Sequence, residues 1–383
     1  MNRKDVRTAK LLATNALLAC DTSLGYVAGT HHFVDLWARD SLFATFGANT
    51  VGSSVRSKTT IKSFLAHQRA DGLIPYLILR SRMTVGKYFR RHSYYQTPVP
   101  HYRSNQSGGI VMDGGLMAII ATREYVESSG DMRFLKENFA ALERGLIWYW
   151  RRFHTGLVRE WFLCEWADAV LKVGTTLYTN VLYWKALGDM AWMAKRLKKK
   201  SESSMYLAWQ EKIYALLQSK FWNGVFFADW IDYARHDYIA THANMMAVVF
   251  GLATQTQATS ILSYATKHCW NGWTLESNYP HYEWWRIPLL QRVVGMADYH
   301  NRGCMWLQTG IWYAVALSHV GRKKEAKNVL DAISQKIVDA GDVYEVFEKN
   351  GTPVRRFIYR SEGPFAWTAG VYLWAYHMIY GTI

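Results

Sequence analysis

The apolar positions of this chain recur at the three- and four-residue spacing of helices along most of its length. That periodicity predicts helices near 3–22, 40–50, 54–68, 114–128, 131–153 and 176–199, and then near 203–220, 242–252, 255–268, 304–320, 322–339 and 366–380. Two kinds of connection alternate between them. Some are tight, such as Ser129-Gly130 and Gly321, where a glycine suits the left-handed residue that ends a helix. Helices joined in this way pack as antiparallel hairpins. The other connections are long: His31 to Asp40, Arg159 to Asp168, Asn278 to Arg286, Ala297 to Trp306, Asp342 to Glu348 and Arg360 to Trp367. Connections of this length without regular structure usually carry function. About six hairpins, turning tightly at one end and presenting long loops at the other, predict an all-α (α/α)6 toroid of about twelve helices. No Pro-, Gly- or Ser-rich linker interrupts the pattern, so a single domain over residues 1–383 is expected.

Composition sharpens the picture at one point. The chain holds 18 Trp, and 15% of it is aromatic. A core does not need so many indoles, because each buried N–H must find a partner. Much of this excess falls in the long loops, mixed with Asp, Glu, Arg and His. Flat rings cover the apolar faces of a sugar, and charged groups meet its hydroxyls. Carbohydrate is therefore the expected ligand.

The other global features mainly exclude. No apolar run reaches the roughly 20 residues of a membrane span, and no apolar segment follows the basic start MNRKDVRTAK, so a cytoplasmic protein is expected. The four cysteines (Cys20, Cys164, Cys269 and Cys304) are scattered, which predicts reduced buried thiols; no metal and no cofactor is expected. The net charge of +15 raises the question of nucleic acid. The basic clusters sit at element ends, as in Lys195 to Lys200, where they complement helix dipoles, and no recognisable binding motif accompanies them. Nucleic acid is not the expected partner. A homo-oligomer is compatible with the sequence.

Cleaving a glycosidic bond takes two carboxyl groups, one protonated to assist the leaving oxygen and one ionised to activate water or to attack. The aromatic loops offer Asp40, Asp168, Glu345, Glu348 and Glu362. Each is also a reasonable helix cap or ion-pair partner when taken alone.

Several segments carry a resemblance. Trp37-Ala38-Arg39-Asp40-Ser41, with Gln68 to Pro75 after it, resembles the Trp-x-Arg-Asp and Asp-Gly-x-Ile-Pro segments of six-hairpin glycosidases, particularly the amylo-α-1,6-glucosidase domain of glycogen-debranching enzymes. Trp166-Ala167-Asp168, followed by Asn180 to Leu187, resembles the block that supplies that family's general acid. Tyr299-His300-Asn301-Arg302-Gly303-Cys304-Met305-Trp306 resembles a block of neutral invertases, although Leu307 stands where debranching glucosidases have Pro. Tyr344 to Gly351 resembles the Glu-x-Tyr-Asp motif of trehalases and debranching glucosidases, and Pro364 to Gly370 the opening of their last helix. The matches occur in order from about residue 30 to 375.

The resemblance implies an inverting glycoside hydrolase with Asp168 as acid and Glu345 as base. It implies sugar contacts from Trp37, Arg39, Asp40, Asp113, Trp166, His300, Asn301, Trp306 and Trp367, with Glu348 as a supporting group. α-Linked glucosides or short α-glucans are the first expectation for substrate. A sucrose-cleaving enzyme of the neutral-invertase type is the second, and a catalytically silent carbohydrate-binding protein of the same fold the third.

Overall fold

The computed structural model describes residues 3–81, 95–154 and 156–381. Among these residues there are thirteen helices, and twelve of them correspond to the predicted segments. The addition is α10 (Leu289–Val293), a five-residue turn inside a long loop. The others are α1 (Arg3–Ala19), α2 (Ala38–Thr50), α3 (Ser54–Ala66), α4 (Asp113–Ser129), α5 (Met132–Phe153), α6 (Leu177–Arg196), α7 (Lys200–Phe221), α8 (Thr241–Val249), α9 (Gln255–Cys269), α11 (Leu307–His319), α12 (Lys323–Ala340) and α13 (Ala366–Tyr380).

Sequence sorts these helices into two layers. In α12 the buried residues are Ala326, Val329, Leu330, Ile333, Ser334 and Ile337, a single stripe at helical spacing, with Lys and Glu on the other side. A helix of that kind lies on an outer surface. In α11 every residue from Leu307 to Leu317 is buried, and α13 is buried from Ala366 to Leu373. Helices apolar all round belong inside. Six such helices touch in the cyclic order α2, α4, α6, α8, α11, α13 and back to α2, which closes a ring. The outer helices α1, α3, α5, α7, α9 and α12 pack around it, and α1 against α12 closes the outer layer. The fold is an (α/α)6 toroid.

The ring closes where α2 meets α13, and glycine makes that contact. A Cβ at Gly47 would lie 2.2 Å from the Gly370 carbonyl oxygen, and one at Gly370 would lie 2.4 Å from the Ala44 Cα. Two backbones approach this closely only without side chains between them.

Each inner helix starts at one face of the ring and turns back at the other. At the turning face, Gly130 takes φ 70° behind α4, and Asp131 caps α5 by accepting from the Phe134 N–H at 2.9 Å. At the starting face, short strands precede the helices and pair with the next long loop. Leu36–Trp37 pairs with Leu77–Ser81, Thr175–Thr176 with Trp230–Ile231, Ile239–Ala240 with Asn278–Tyr279, and Met305–Trp306 with Val346–Phe347. These pairings hold the long loops over the helix N-termini. All four cysteines are free and buried. Among the described residues, no helix is long and apolar enough to cross a membrane.

Candidate active site

A cleft with about 460 Å³ of empty space opens among the helix N-termini, lined by Trp37, Arg39, Asp40, Tyr76, Asp113, Glu165 and Asp168 together with the 104–106 and 163–164 loops. Its frame begins with α2. The Ala38 N–H donates to the Tyr76 carbonyl at 2.8 Å, fixing the first turn of the helix beside the Leu77–Ser81 strand. That turn presents Arg39 and Asp40. Arg39 Nε donates to Asp113 Oδ2 at 2.6 Å, and the Tyr178 hydroxyl reaches the same oxygen at 3.4 Å. Asp113 opens α4, and Tyr178 lies in the first turn of α6. One buried carboxylate therefore ties three neighbouring inner helices together at the mouth.

The loop bearing Asp168 is anchored at both ends. Glu160 and Gly174 exchange backbone hydrogen bonds at 2.7 and 2.9 Å, and the Leu171 N–H donates to the Arg286 carbonyl at 2.7 Å. Beneath it lies a buried charge cluster. Lys172 Nζ donates to Glu165, with Asp229 Oδ2 at 3.1 Å, and the Tyr282 hydroxyl donates to the same Asp229 oxygen at 2.5 Å. Buried charges persist only when paired in this way. No motif or spacing links Lys172 to Asp229, which lies 57 residues away along the chain.

Asp168 itself is 37% exposed toward the cleft, with His300 Nε2 at 3.5 Å. Loss of hydration against the surrounding protein pushes its carboxyl up to about 7; Glu345 and Glu165 add to the rise and Arg39 opposes it. Burial also pushes Asp40 up to about 7, again opposed by Arg39 and reinforced by Glu345. Burial holds His300 well below the usual imidazole range, with Lys172 and Arg39 acting in the same direction, so it meets Asp168 as a neutral ring.

Glu345 sits on the other side, buried, just before the Val346–Phe347 strand. It accepts from the Tyr299 hydroxyl at 2.6 Å and from the Tyr359 hydroxyl. Burial raises its carboxyl overall, and His32 and the two tyrosine donors offset only part of that rise. His32 is oriented in turn by Glu362, whose Oε2 lies 2.9 Å from the imidazole Nδ1. Glu362 is fully buried and also accepts from the backbone N–H groups of Thr30, His31 and His32 at 2.8–2.9 Å. Despite its burial, these donors hold it well below the usual carboxylate range.

The expected site residues thus fall into three groups. Trp37, Arg39, Asp40, Asp113 and Asp168 line one cleft, and Glu345 influences both Asp40 and Asp168 electrostatically. Trp166, His300, Trp306 and Trp367 form a buried aromatic layer: Trp166 lies 4.9 Å from His300, 5.8 Å from Trp306 and 6.3 Å from Trp367, ring centre to ring centre. Trp367 stacks on Phe43 at 5.2 Å and is core. Two expectations need correction. The Asn301 side chain accepts from the Tyr282 N–H at 2.8 Å and donates to the Tyr282 carbonyl at 3.2 Å, so it holds a loop instead of facing sugar. Both Glu348 oxygens accept from Arg356, at 3.0 and 2.9 Å, and the same guanidinium grips Asp298. Glu348 is a loop brace. Sequence reading missed Tyr299 and Tyr359 as partners of Glu345, and His32, because nothing local marks a tyrosine as a donor to a carboxylate 46 residues away.

Known proteins share this architecture. The model of the bacterial alpha-L-rhamnosidase six-hairpin glycosidase domain matches residues 81–276, just over half of the chain. The GH63 mannosylglycerate hydrolase from Thermus thermophilus, in complex with Tris, superposes with a TM-score of 0.72 at 14% identity, covering 96% of this chain and 99% of that one. A rhamnosidase from Klebsiella oxytoca with rhamnose bound gives 0.70 at 16% identity, covering 100% of this chain and 65% of that one. A glycosidase variant in complex with glucose gives 0.67 at 14% identity over the full length of both. No curated protein sequence matches. The toroid and the family match agree, and the chain belongs to the family of the bacterial alpha-L-rhamnosidase six-hairpin glycosidase domain, a family of glycoside hydrolases.

Proposed function

We propose that the chain hydrolyses the α-glycosidic bond of a short substrate with inversion, using Asp168 as general acid and Glu345 as general base. Burial raises both carboxyls, and the observation that carries this reading is the difference in their partners. Asp168 opens to the cleft with a carboxyl pushed up to about 7, so it still holds a proton near neutrality. Glu345 accepts two tyrosine hydroxyls, an environment suited to a carboxylate that takes a proton from water. Asp40 has a similarly raised carboxyl, but it is more buried than Asp168. It is better placed to accept a sugar hydroxyl than to reach a leaving oxygen.

Arg39, Asp40 and Asp113 would hold the hydroxyls of the terminal ring, with Trp37 against its face. Glucose is our first choice for the terminal ring, on the Trp-Ala-Arg-Asp segment. α-L-Rhamnose is the second, favoured by the family match. The test is hydrolysis of α-glucosides, an α-L-rhamnoside, mannosylglycerate, trehalose and sucrose, following the released anomer by NMR. β-Glucose from an α-glucoside would support the first choice, and β-rhamnose the second. Cleavage of sucrose alone would move the reading to an invertase, and sugar binding without turnover to a silent protein. A released α-anomer would overturn inversion.

A further inference from the structure

The loops on the starting face leave a cluster of large apolar side chains exposed, which on a protein surface marks an interaction site. Trp284, Trp285, Leu290 and Val293 are 59–74% exposed, in the Trp284–Arg286 turn and in α10. Leu290 and Val293 are three residues apart and share a helix face. The Arg292 guanidinium lies 5.6 Å from the Trp284 ring and joins the two segments. A hairpin stands beside them. Arg355 and Arg360 pair across its stem, the Arg356 N–H donates to the Tyr359 carbonyl at 2.7 Å, and Phe357 and Ile358 form the tip. Phe357 is fully exposed, and Ile358 largely so. Arg356 Nη1 donates to the Gly295 carbonyl at 2.8 Å, just beyond α10, which fixes the hairpin next to it.

The charge of this surface is one-sided. No acidic residue occurs between Trp284 and Ala297 or between Lys349 and Ser361, while six basic ones do. The acidic groups at its edge are committed, Glu283 to Arg286 and both Asp298 and Glu348 to Arg356. Arg292, Arg355 and Arg360 have no carboxylate partner among the described residues. A neutral sugar gives such charges nothing to meet. A second copy docking about a two-fold axis would press these arginines against their own equivalents, which repel. Protruding apolar tips enter a deformable layer without a shaped pocket, and tryptophan beside arginine suits the boundary of an anionic membrane.

We propose that this surface docks on an anionic lipid bilayer, with Trp284, Trp285, Phe357 and Ile358 in the boundary between headgroups and acyl chains and Arg292, Arg355 and Arg360 on lipid phosphates. The same loops support the catalytic groups proposed above. Tyr359 of the hairpin donates to Glu345, and the Arg286 carbonyl accepts from Leu171 in the loop bearing Asp168. Docking brings the mouth of the cleft to the membrane surface.

Co-sedimentation of the full chain with vesicles of phosphatidylcholine containing about 30% phosphatidylglycerol tests the proposal, with pure phosphatidylcholine vesicles alongside. The anionic vesicles should bind the protein at least about tenfold more tightly than the neutral ones. Phe357→Ser with Ile358→Ser should weaken that binding by about tenfold or more. Arg355→Glu with Arg360→Glu should weaken it by about twenty-fivefold or more, at roughly fivefold for each basic side chain lost from an anionic surface. Both pairs are exposed, so neither change disturbs the core. Lys195→Glu with Lys200→Glu removes as much net charge from the opposite face, where α6 turns into α7, and should leave binding within about threefold of wild type. No binding to the anionic vesicles, an undiminished affinity in the Phe357–Ile358 variant, or an equal loss in the two charge variants would overturn the proposal. A dimer in sedimentation velocity that the Phe357–Ile358 variant dissociates, without vesicle binding, would overturn the bilayer in favour of a second copy.

Discussion

The Tyr299 hydroxyl donates to Oε1 of Glu345 at 2.6 Å while its ring packs edge-on to His300, 4.6 Å away, and His300 lies 3.5 Å from Asp168. One side chain therefore sits between the surroundings of the two proposed catalytic carboxyls. Removing its hydroxyl acts on the base first. A donor to a carboxylate stabilises the ionised form, so Tyr299→Phe should raise the Glu345 pKa and move the acid limb of the kcat/KM profile to higher pH. A loss of roughly tenfold to a hundredfold on the acidic side, shrinking at higher pH, is expected from one charge-assisted hydrogen bond. A uniform loss at every pH would assign Tyr299 a packing role instead.

Asp168→Asn and Glu345→Gln should each lower kcat by about 10²–10⁴ while sugar binding and the circular dichroism spectrum persist. The contrasting variant is Glu348→Gln, which removes half of the Arg356 clamp. It should cost stability with little effect on the chemical step. Loss of turnover with Glu348→Gln and its retention with Glu345→Gln would exchange the two assignments.

With Asp168 pushed up to about 7, the acid loses its proton as pH rises through neutrality, so kcat/KM should fall on the basic side from about pH 7. In Asp168→Asn that basic limb should be absent from whatever activity remains. A limb that persists unchanged would point to another group, with Asp40 first in line.

Asp40 also links pH to stability. Its folded-state carboxyl is raised from 3.8 to about 7, so the native state binds the proton more tightly than the unfolded chain does. That contribution is complete below about pH 4 and is lost as pH rises to about 7, up to about 4 kcal/mol for so buried a group. Asp40→Asn does not titrate. Its Tm should gain on wild type steadily between about pH 4 and 7, and a constant difference across that window would refute the assignment.

Glu362 has the opposite sign. Its carboxylate is held below its ordinary range by His31, His32 and the backbone donors of 30–32, so its contribution is present above its unfolded pKa and lost as pH falls. Glu362→Gln leaves those donors facing a neutral amide. A loss of about 3–5 kcal/mol is expected, as for a broken buried ion pair, measured by denaturant unfolding at about pH 7. A smaller difference at about pH 3 than at about pH 7 would accompany it.

The architecture was legible in the sequence because helical periodicity is a local signal repeated over many turns. The stripe of α12 and the turn glycines Gly130 and Gly321 each fix an element without reference to the rest of the chain. The cleft was legible where a motif keeps its residues together, as in Trp37-Ala38-Arg39-Asp40. It was not legible where contacts join distant segments. Tyr359 reaches Glu345 around a hairpin, Lys172 reaches Asp229 across a loop, and Arg356 clamps Glu348 from eight residues away. Asn301 stands inside a motif that suggests sugar, yet its amide is committed to Tyr282. A residue type and a spacing state what a side chain is able to do, and only the fold decides which partner it has.

The glycine contact between α2 and α13 also orders events during synthesis. The Arg39–Asp40 turn stands on a helix whose neighbour on one side is translated more than three hundred residues later. Until α13 leaves the ribosome, α2 has an open flank, and Phe43 lacks the Trp367 ring it stacks on. The nascent chain therefore carries every residue that lines the cleft long before it can hold them in place, and the last helix of the ring to emerge acts as the clasp that turns an unfinished ribbon of hairpins into a closed ring.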